Sequence, residues 1–457
     1  MEKLKIVISL MIIASFVSPK LQFVMLLSRH GARDIEYTYI HLSDDPRIGR
    51  YPLELTETGV RELFVMGVEM GSRYIKNKNP YFNILNYTYN PYQIKTRVVT
   101  SNRTSQSGFA FLNGLYPSGT GPILLNQQRT KACPPINNET FCSKIDQELN
   151  DNALPNQTNS IPVINSENVG KESSDYVSRP YYACQPLWDY NRNMSLLSYK
   201  ASVLNKDFRD VFDFLYQEWG LNEYNDLLKV IEFDDDLHCV EAMGAPLVKP
   251  INEEMKVRLS NASLQSNLYE LIGRKESTIL VSYFFINFII EDLKSAFHII
   301  TDSSINTSQK FRFSGIFYSD IHIEGLIRIM HLEDQIPQRH IPYASNFIFE
   351  VEADDDNSPI EEWQISLKFH DIPMRLNGTL KMSLPDFFVY LNKTNINNTT
   401  DFFNLCQSNP LNDNSGNLWN MIWFAVILGC GFIILLIIKL FFKNEYKVHS
   451  NAAATLL

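Results

Sequence analysis

The 457-residue sequence predicts an α/β fold, a mixed central sheet flanked by helices, and three stretches carry that expectation. Phe23-Val24-Met25-Leu26-Leu27 is an unbroken apolar run that ends in Ser28-Arg29-His30-Gly31-Ala32-Arg33. A strand with one wet face alternates; an unbroken run fits a strand covered on both faces. Residues 55–74 follow with helical spacing of Val60, Leu63, Phe64, Gly67, Val68, Met70 and Tyr74. Residues 96–100 then form a short β-type stretch that enters a hydroxyl-rich turn and an apolar helical stretch over 109–115. The polar cluster after the first strand falls at its carboxyl end, where open α/β sheets bind ligands.

Local signals place the remaining elements. Residues 37–50 are polar with scattered prolines and read as a loop. Thr56 is the expected N-cap of the first helix, with Glu57 in its first turn. Residues 117–180 lack periodicity and predict a long excursion with little regular structure. Helical patterns return over 188–241, for example at Val211, Phe212, Phe214 and Leu215. Residues 277–290 are densely apolar but have charges close by, which predicts a buried core helix, continuing to Phe297, rather than a membrane span. A strand is expected over 310–319, a hairpin turn at Asp354-Asp355-Asp356-Asn357, a further strand over 363–369, and an Asn-rich stalk over 392–415.

The first cluster has the chemistry of an oxyanion site. Arg29 and Arg33 offer planar donor forks suited to phosphate oxygens, and His30 between them is a competent nucleophile when neutral. Gly31 is expected to let the backbone approach a bound anion. Standing alone, the pair would read as a basic surface loop; the preceding strand and the second arginine-bearing turn at Arg103 argue for a site.

These residues resemble the signature of the histidine acid phosphatase family (histidine phosphatase superfamily, branch 2), Arg-His-Gly-x-Arg-x-Pro after the first strand. Arg29, His30, Gly31 and Arg33 match, and Ile35 stands where the family has proline. Tyr51-Pro52, Leu55-Thr56-Glu57-Thr58-Gly59 and the turn holding Arg103 extend the match, as do Tyr343-Ala344-Ser345 and the segment 382–388, which lacks a family cysteine. The resemblance implies a phosphoglycerate mutase-like sheet with a smaller, mostly helical cap over roughly 120–260. It implies that His30 attacks phosphorus while Arg29, Arg33 and Arg103 hold the phosphoryl oxygens. The family's His-Asp pair, which contacts phosphate and protonates the leaving group, is missing: Ile321 and His322 align with it. Three readings stay open. His322 donates the proton as imidazolium, Asp320 reaches in from two positions earlier, or the site binds phosphate esters and turns them over poorly. Outside the site, Asp320 would simply cap a helix and His322 lie on its surface.

The ends of the chain speak to compartment. Residues 1–18 have a lysine-bearing start, an apolar centre and small residues near the exit, as a secretory signal does. Leu418 to Ile438 is 21 residues long and almost wholly apolar, followed by Lys439, Lys443 and Lys447. That predicts one C-terminal transmembrane helix with a cytosolic tail over 439–457, a stalk over 391–417, and a luminal or extracellular phosphatase-like domain over 19–390 of a type I protein in the secretory or lysosomal system. Eleven Asn-x-Ser/Thr sequons lie on the luminal side, so a glycoprotein is expected. Five luminal cysteines are an odd set, which leaves one free or bonded between chains. No Cys-x-x-Cys or His-x-x-x-His suggests zinc, and the arginines supply the charge, so neither metal nor cofactor is expected. A net charge of −10 disfavours nucleic acid.

The leading expectation is acid phosphatase activity on small phosphate monoesters through a phosphohistidine at His30, with a homodimer compatible. A non-catalytic phosphate-ester-binding membrane glycoprotein is the alternative, and a phosphoglycerate mutase-like transferase a more distant one.

Overall fold

A computed structural model describes residues 19–407 except 38–39, 130, 135–138, 166–183, 185–206, 222–226, 268–274, 337–340 and 395–398. The expected signal, transmembrane helix and tail lie outside the described residues. In chain order the elements are β1 (Lys20–Arg29), α1 (Glu57–Tyr74), β2 (Ile94–Val98), α2 (Asn102–Leu115), α3 (Asn126–Arg129), α4 (Glu139–Leu149), β3 (Ile164–Asn165), α5 (Arg209–Trp219), α6 (Leu227–Ala242) and α7 (Glu253–Asn267). There follow α8 (Lys275–Thr301), β4 (Phe313–Tyr318), α9 (Asp320–Ile329), β5 (Asn346–Ala353), β6 (Gln364–Phe369), β7 (Ile372–Met374), β8 (Lys381–Ser383), α10 (Leu384–Thr394) and α11 (Thr399–Gln407).

The sheet is mixed, in the order β3-β2-β4-β1-β5-β6-β7, with β8 also on β6. β1 pairs parallel with β4 and antiparallel with β5, so it lies inside the sheet. Its alternate side chains enter different cores. Phe23, Met25 and Leu27 pack with residues of α8 and α9, while Val24 and Leu26 pack with α1 and α2. Coverage of both faces is the physical reason for the unbroken apolar run.

α1 and α2 are pressed together through glycine. A Cβ on Gly67 would lie 2.0 Å from the Phe111 carbonyl oxygen, and one on Gly114 2.0 Å from that of Phe64. Across the sheet, the Arg97 guanidinium on β2 lies 2.6 Å from the Asp292 carboxylate on α8, which also accepts from Ser314 Oγ. Both charges are buried, so the pair satisfies groups that would otherwise be costly to desolvate.

A third apolar cluster joins α5, α6 and α7 to Ile35, Ile40 and Leu42. This helical region begins directly behind the first motif. Ile35 explains its own departure from the family pattern: it is buried in this cluster, and its N–H donates to Asp34 Oδ1 at 2.8 Å, a bond proline has no N–H to make.

Several expectations change. The excursion over 117–180 contains a real helix, α4, held to the preceding turn by Arg129 bonding Asp146 and Asp151. The stalk reading fails over 399–407, where α11 forms and Phe402 stacks on Tyr283 with ring centres 5.0 Å apart. Cys133 and Cys142 form a disulfide, Cys184 and Cys406 are disulfide-bonded as well, and among the described residues Cys239 is a free, buried thiol. Among the described residues no helix is long and apolar enough to cross a membrane, the 27-residue α8 included.

Candidate active site

The site forms where β1 ends. The His30 backbone is fixed from both sides: its N–H donates to the Tyr318 carbonyl at 2.8 Å and its carbonyl accepts from Ala344 N–H at 3.1 Å. Gly31 is required by α1, because a Cβ there would lie 2.5 Å from the Gly59 carbonyl oxygen. Thr56 caps α1 by accepting from Gly59 N–H and donates to the Ala32 carbonyl, which locks the loop to the helix start. Gly31 N–H donates to Ser107 Oγ at 3.2 Å, and Ser107 Oγ donates to the Arg103 carbonyl. That chain sets the first turn of α2 against His30.

His30 is 2% exposed. Its Nδ1 lies 2.8 Å from the Gly31 carbonyl. A carbonyl only accepts, so Nδ1 carries the proton and Nε2 presents its lone pair. Arg103 Nε donates to that Nε2 at 3.2 Å. Burial, then the Arg29 and Arg103 guanidiniums, hold the imidazole well below its ordinary pKa, against the opposing pull of the Gly31 carbonyl. The neutral, nucleophilic form of the ring is therefore favoured.

The three arginines are held differently. Arg29 is buried at the end of β1, donates to the Ile341 carbonyl, lies 4.3 Å over the Tyr343 ring and pairs with Asp320 at 2.8 Å. Arg33 donates from Nη1 to the Asp34 carbonyl and lies 3.4 Å from Cys239 Sγ. Its Nη2 donates to Asp235 Oδ2 on α6 at 2.5 Å. Burial, the strongest single influence, opposes the charge on Arg33, but Asp235, Cys239 and Tyr343 together outweigh it and hold the guanidinium well above its ordinary pKa. Arg103 stands in the first turn of α2, where Ser101 caps the helix by accepting from Thr104 N–H. Burial and the charge of Arg33 lower its pKa, while Asp320, Glu36 and Asp235 oppose that. Two like charges near one buried imidazole are costly unless an anion joins them.

Asp320 and His322 separate cleanly. Asp320 opens α9; one oxygen accepts from Ile321 N–H at 2.9 Å and the other meets Arg29. Its side chain is 37% exposed, so it is reachable from the site mouth. His322 is 2% exposed, with Nδ1 3.0 Å from Ser319 Oγ and its ring stacked on Tyr318 at 4.9 Å and edge-on to Phe285 at 5.4 Å. Those contacts pack its buried ring against Tyr318 of the sheet and Phe285 of α8 rather than on the helix surface.

Sequence reading missed Asp235, Tyr343 as the platform under Arg29, and Glu324. Glu324 follows Asp320 by one helical turn; burial, then Asp320, push its carboxyl up to about 8. Asp235, Asp236 and Cys239 bring three ligand-type groups within 4.8 Å of one another, and the Arg33 guanidinium already supplies positive charge to two of them.

An imidazole whose Nε2 lone pair faces the Arg103 guanidinium, with further guanidiniums and a carboxylate beside it, defines an oxyanion-binding α/β site. The chain belongs to the histidine phosphatase superfamily, branch 2, whose family model matches residues 35–361. Lysosomal acid phosphatase of Xenopus laevis is 33% identical over 122 residues, a match covering 26% of this chain and 26% of that protein. The chain thus aligns with about a quarter of the length of that relative. Among solved structures, the phytase from Citrobacter braakii aligns with a TM-score of 0.53 at 14% identity over 83% of this chain and 100% of that one. Hafnia alvei phytase in complex with myo-inositol hexakis sulphate aligns with a TM-score of 0.53 at 13% identity, over 85% and 98% of the two chains. At these identities the structural likeness establishes the fold.

Proposed function

We propose that the protein is an acid phosphatase that hydrolyses phosphate monoesters through a phosphohistidine at His30. The single observation that carries this reading is the Arg103 Nε to His30 Nε2 contact, which puts a phosphate-binding guanidinium beside a nucleophilic lone pair. In the first step the Nε2 lone pair forms a bond to phosphorus as the ester P–O bond breaks. Arg29, Arg33 and Arg103 neutralise charge on the equatorial oxygens. Once the incoming phosphoryl group takes the place of Asp320 on Arg29, the Asp320 carboxyl gives a proton to the departing oxygen and becomes carboxylate. In the second step water attacks phosphorus, its proton passes to Asp320, the N–P bond breaks and orthophosphate leaves.

Asp320 rather than His322 is assigned the proton because it is the one that reaches Arg29 and the mouth of the site. Such help is typically worth ~10²–10⁴ in rate. The reading includes a membrane-anchored enzyme acting in an acidic luminal compartment, supported by the apolar segment 418–438 with lysines after it and by the sequons.

The test is hydrolysis of p-nitrophenyl phosphate from pH 4 to 8 by the purified protein and by His30→Ala. Turnover lost in the variant supports the enzyme. Wild-type turnover no better than the variant, with phosphate still bound, favours the binding glycoprotein.

A further inference from the structure

α6 reaches the catalytic motif with two adjacent carboxylates. Asp235 Oδ2 lies 2.5 Å from Arg33 Nη2, with side chains 19% and 7% exposed. Asp236 is fully buried, and its Oδ1 accepts from Glu36 N–H at 3.0 Å and Tyr37 N–H at 3.4 Å. Together they clasp the loop that follows His30. Glu36, exposed on that loop, puts its own carboxylate 3.7 Å from the same Arg33 Nη2.

The hydrolysis described above uses Arg33 for phosphate and leaves these groups unexplained. A guanidinium has five N–H donors in a rigid fork, so one carboxylate can fix its plane while other donors face a phosphoryl group. The carboxylate also has a cost to binding. It offsets the charge of Arg33, and the same two carboxylates act on Arg103. A monoester needs only its one phosphoryl group held. A leaving group bearing more phosphates would bring anionic charge toward Asp235 and Glu36 on the cap side.

We propose that Asp235 is a positioning residue that aims Arg33 at the phosphoryl group, and that with Glu36 it selects monoesters whose leaving group carries no further anionic group. This rests on the phosphatase reading.

The test compares the wild-type full chain with Asp235→Asn, Asp235→Glu and Glu36→Gln at pH 5 and fixed ionic strength. The substrates are p-nitrophenyl phosphate and inositol hexakisphosphate. The wild type is expected to favour the monophosphate in kcat/KM. In Asp235→Asn the ratio should shift toward the polyphosphate by about tenfold, mainly in KM, and Asp235→Glu should restore it. Glu36→Gln, on an exposed side chain that folding does not need, should shift the ratio about threefold the same way. Raising salt should shrink these shifts. A His30-dependent enzyme whose substrate ratio is unchanged in Asp235→Asn and Glu36→Gln overturns this proposal and leaves the phosphatase reading standing. Should Asp235→Asn fail to fold, an unchanged ratio in Glu36→Gln overturns the selection by itself. Absence of His30-dependent turnover on either substrate overturns both.

Discussion

Replacing Asp320 by asparagine separates the two roles proposed for it. In the unliganded site its carboxylate lies 2.8 Å from Arg29 and so competes with substrate for that guanidinium. An effective dielectric of about 20 makes such a pair worth several kcal/mol, and the partial exposure of Asp320 reduces the net effect to about 1 kcal/mol. The neutral amide of Asp320→Asn cannot compete as a charge, so KM should fall about fivefold. It cannot donate a carboxylic proton either, so kcat should fall where the leaving oxygen is basic. With an alkyl phosphate the expected loss is ~10²–10⁴, and with p-nitrophenyl phosphate, whose leaving group departs as an anion, it is far smaller. The assay is kcat and KM at pH 5 for both esters, with His322→Ala alongside. His322→Ala removes an aromatic contact with Tyr318 and Phe285 and should change kcat equally for both esters. A leaving-group-dependent loss in His322→Ala with none in Asp320→Asn would refute the assignment.

Further outcomes follow from the structure. His30 is held neutral by burial and by Arg29 and Arg103, so the acid limb of kcat/KM should lie below pH 6.5, measured in a pH–rate profile of the free enzyme. Glu324 has a folded pKa of about 8, above the ~4.3 of an unfolded glutamate, so its contribution to stability is complete below about pH 4 and is lost as pH rises toward 8. Glu324→Gln should therefore flatten the decline in urea midpoint between pH 5 and 8, gaining on the order of 1 kcal/mol at the upper end. Asp292→Ala strands the buried Arg97 charge and should cost about 3–5 kcal/mol in urea unfolding. Gly114→Ala forces α2 away from the Phe64 carbonyl and should cost about 1–3 kcal/mol while also weakening phosphate binding, because α2 carries Arg103.

What could be read in the sequence was what local chemistry writes locally. β1 was legible because both its faces are buried, and Thr56 because an N-cap is a short-range device. Arg103 was legible because a strand, a hydroxyl-rich turn and a helix start lie consecutively. Asp235 was not, because it lies 202 positions from Arg33 and an Asp-Asp-Asp run ordinarily reads as a solvated helix face. The packing role of Gly31 was not legible because what it accommodates, Gly59, lies on another element. Asp320 and His322 differ in direction, which residue types alone do not write. Asp320 opens the helix toward Arg29, and His322, two residues on, points back into the apolar interface. α11 was hidden by the asparagines around it, since its anchors, Phe402 on Tyr283 and Phe284 and the disulfide-bonded Cys406, are long-range contacts.

The central claim is that the His30 imidazole and three guanidiniums act on one phosphoryl group. Acid-labile phosphohistidine, trapped by quenching the enzyme in alkali during turnover of a labelled monoester, tests it most directly. The account predicts label on the peptide carrying His30 in the wild type and none in His30→Ala. Steady turnover with no trapped label, or label on any other residue, would contradict it.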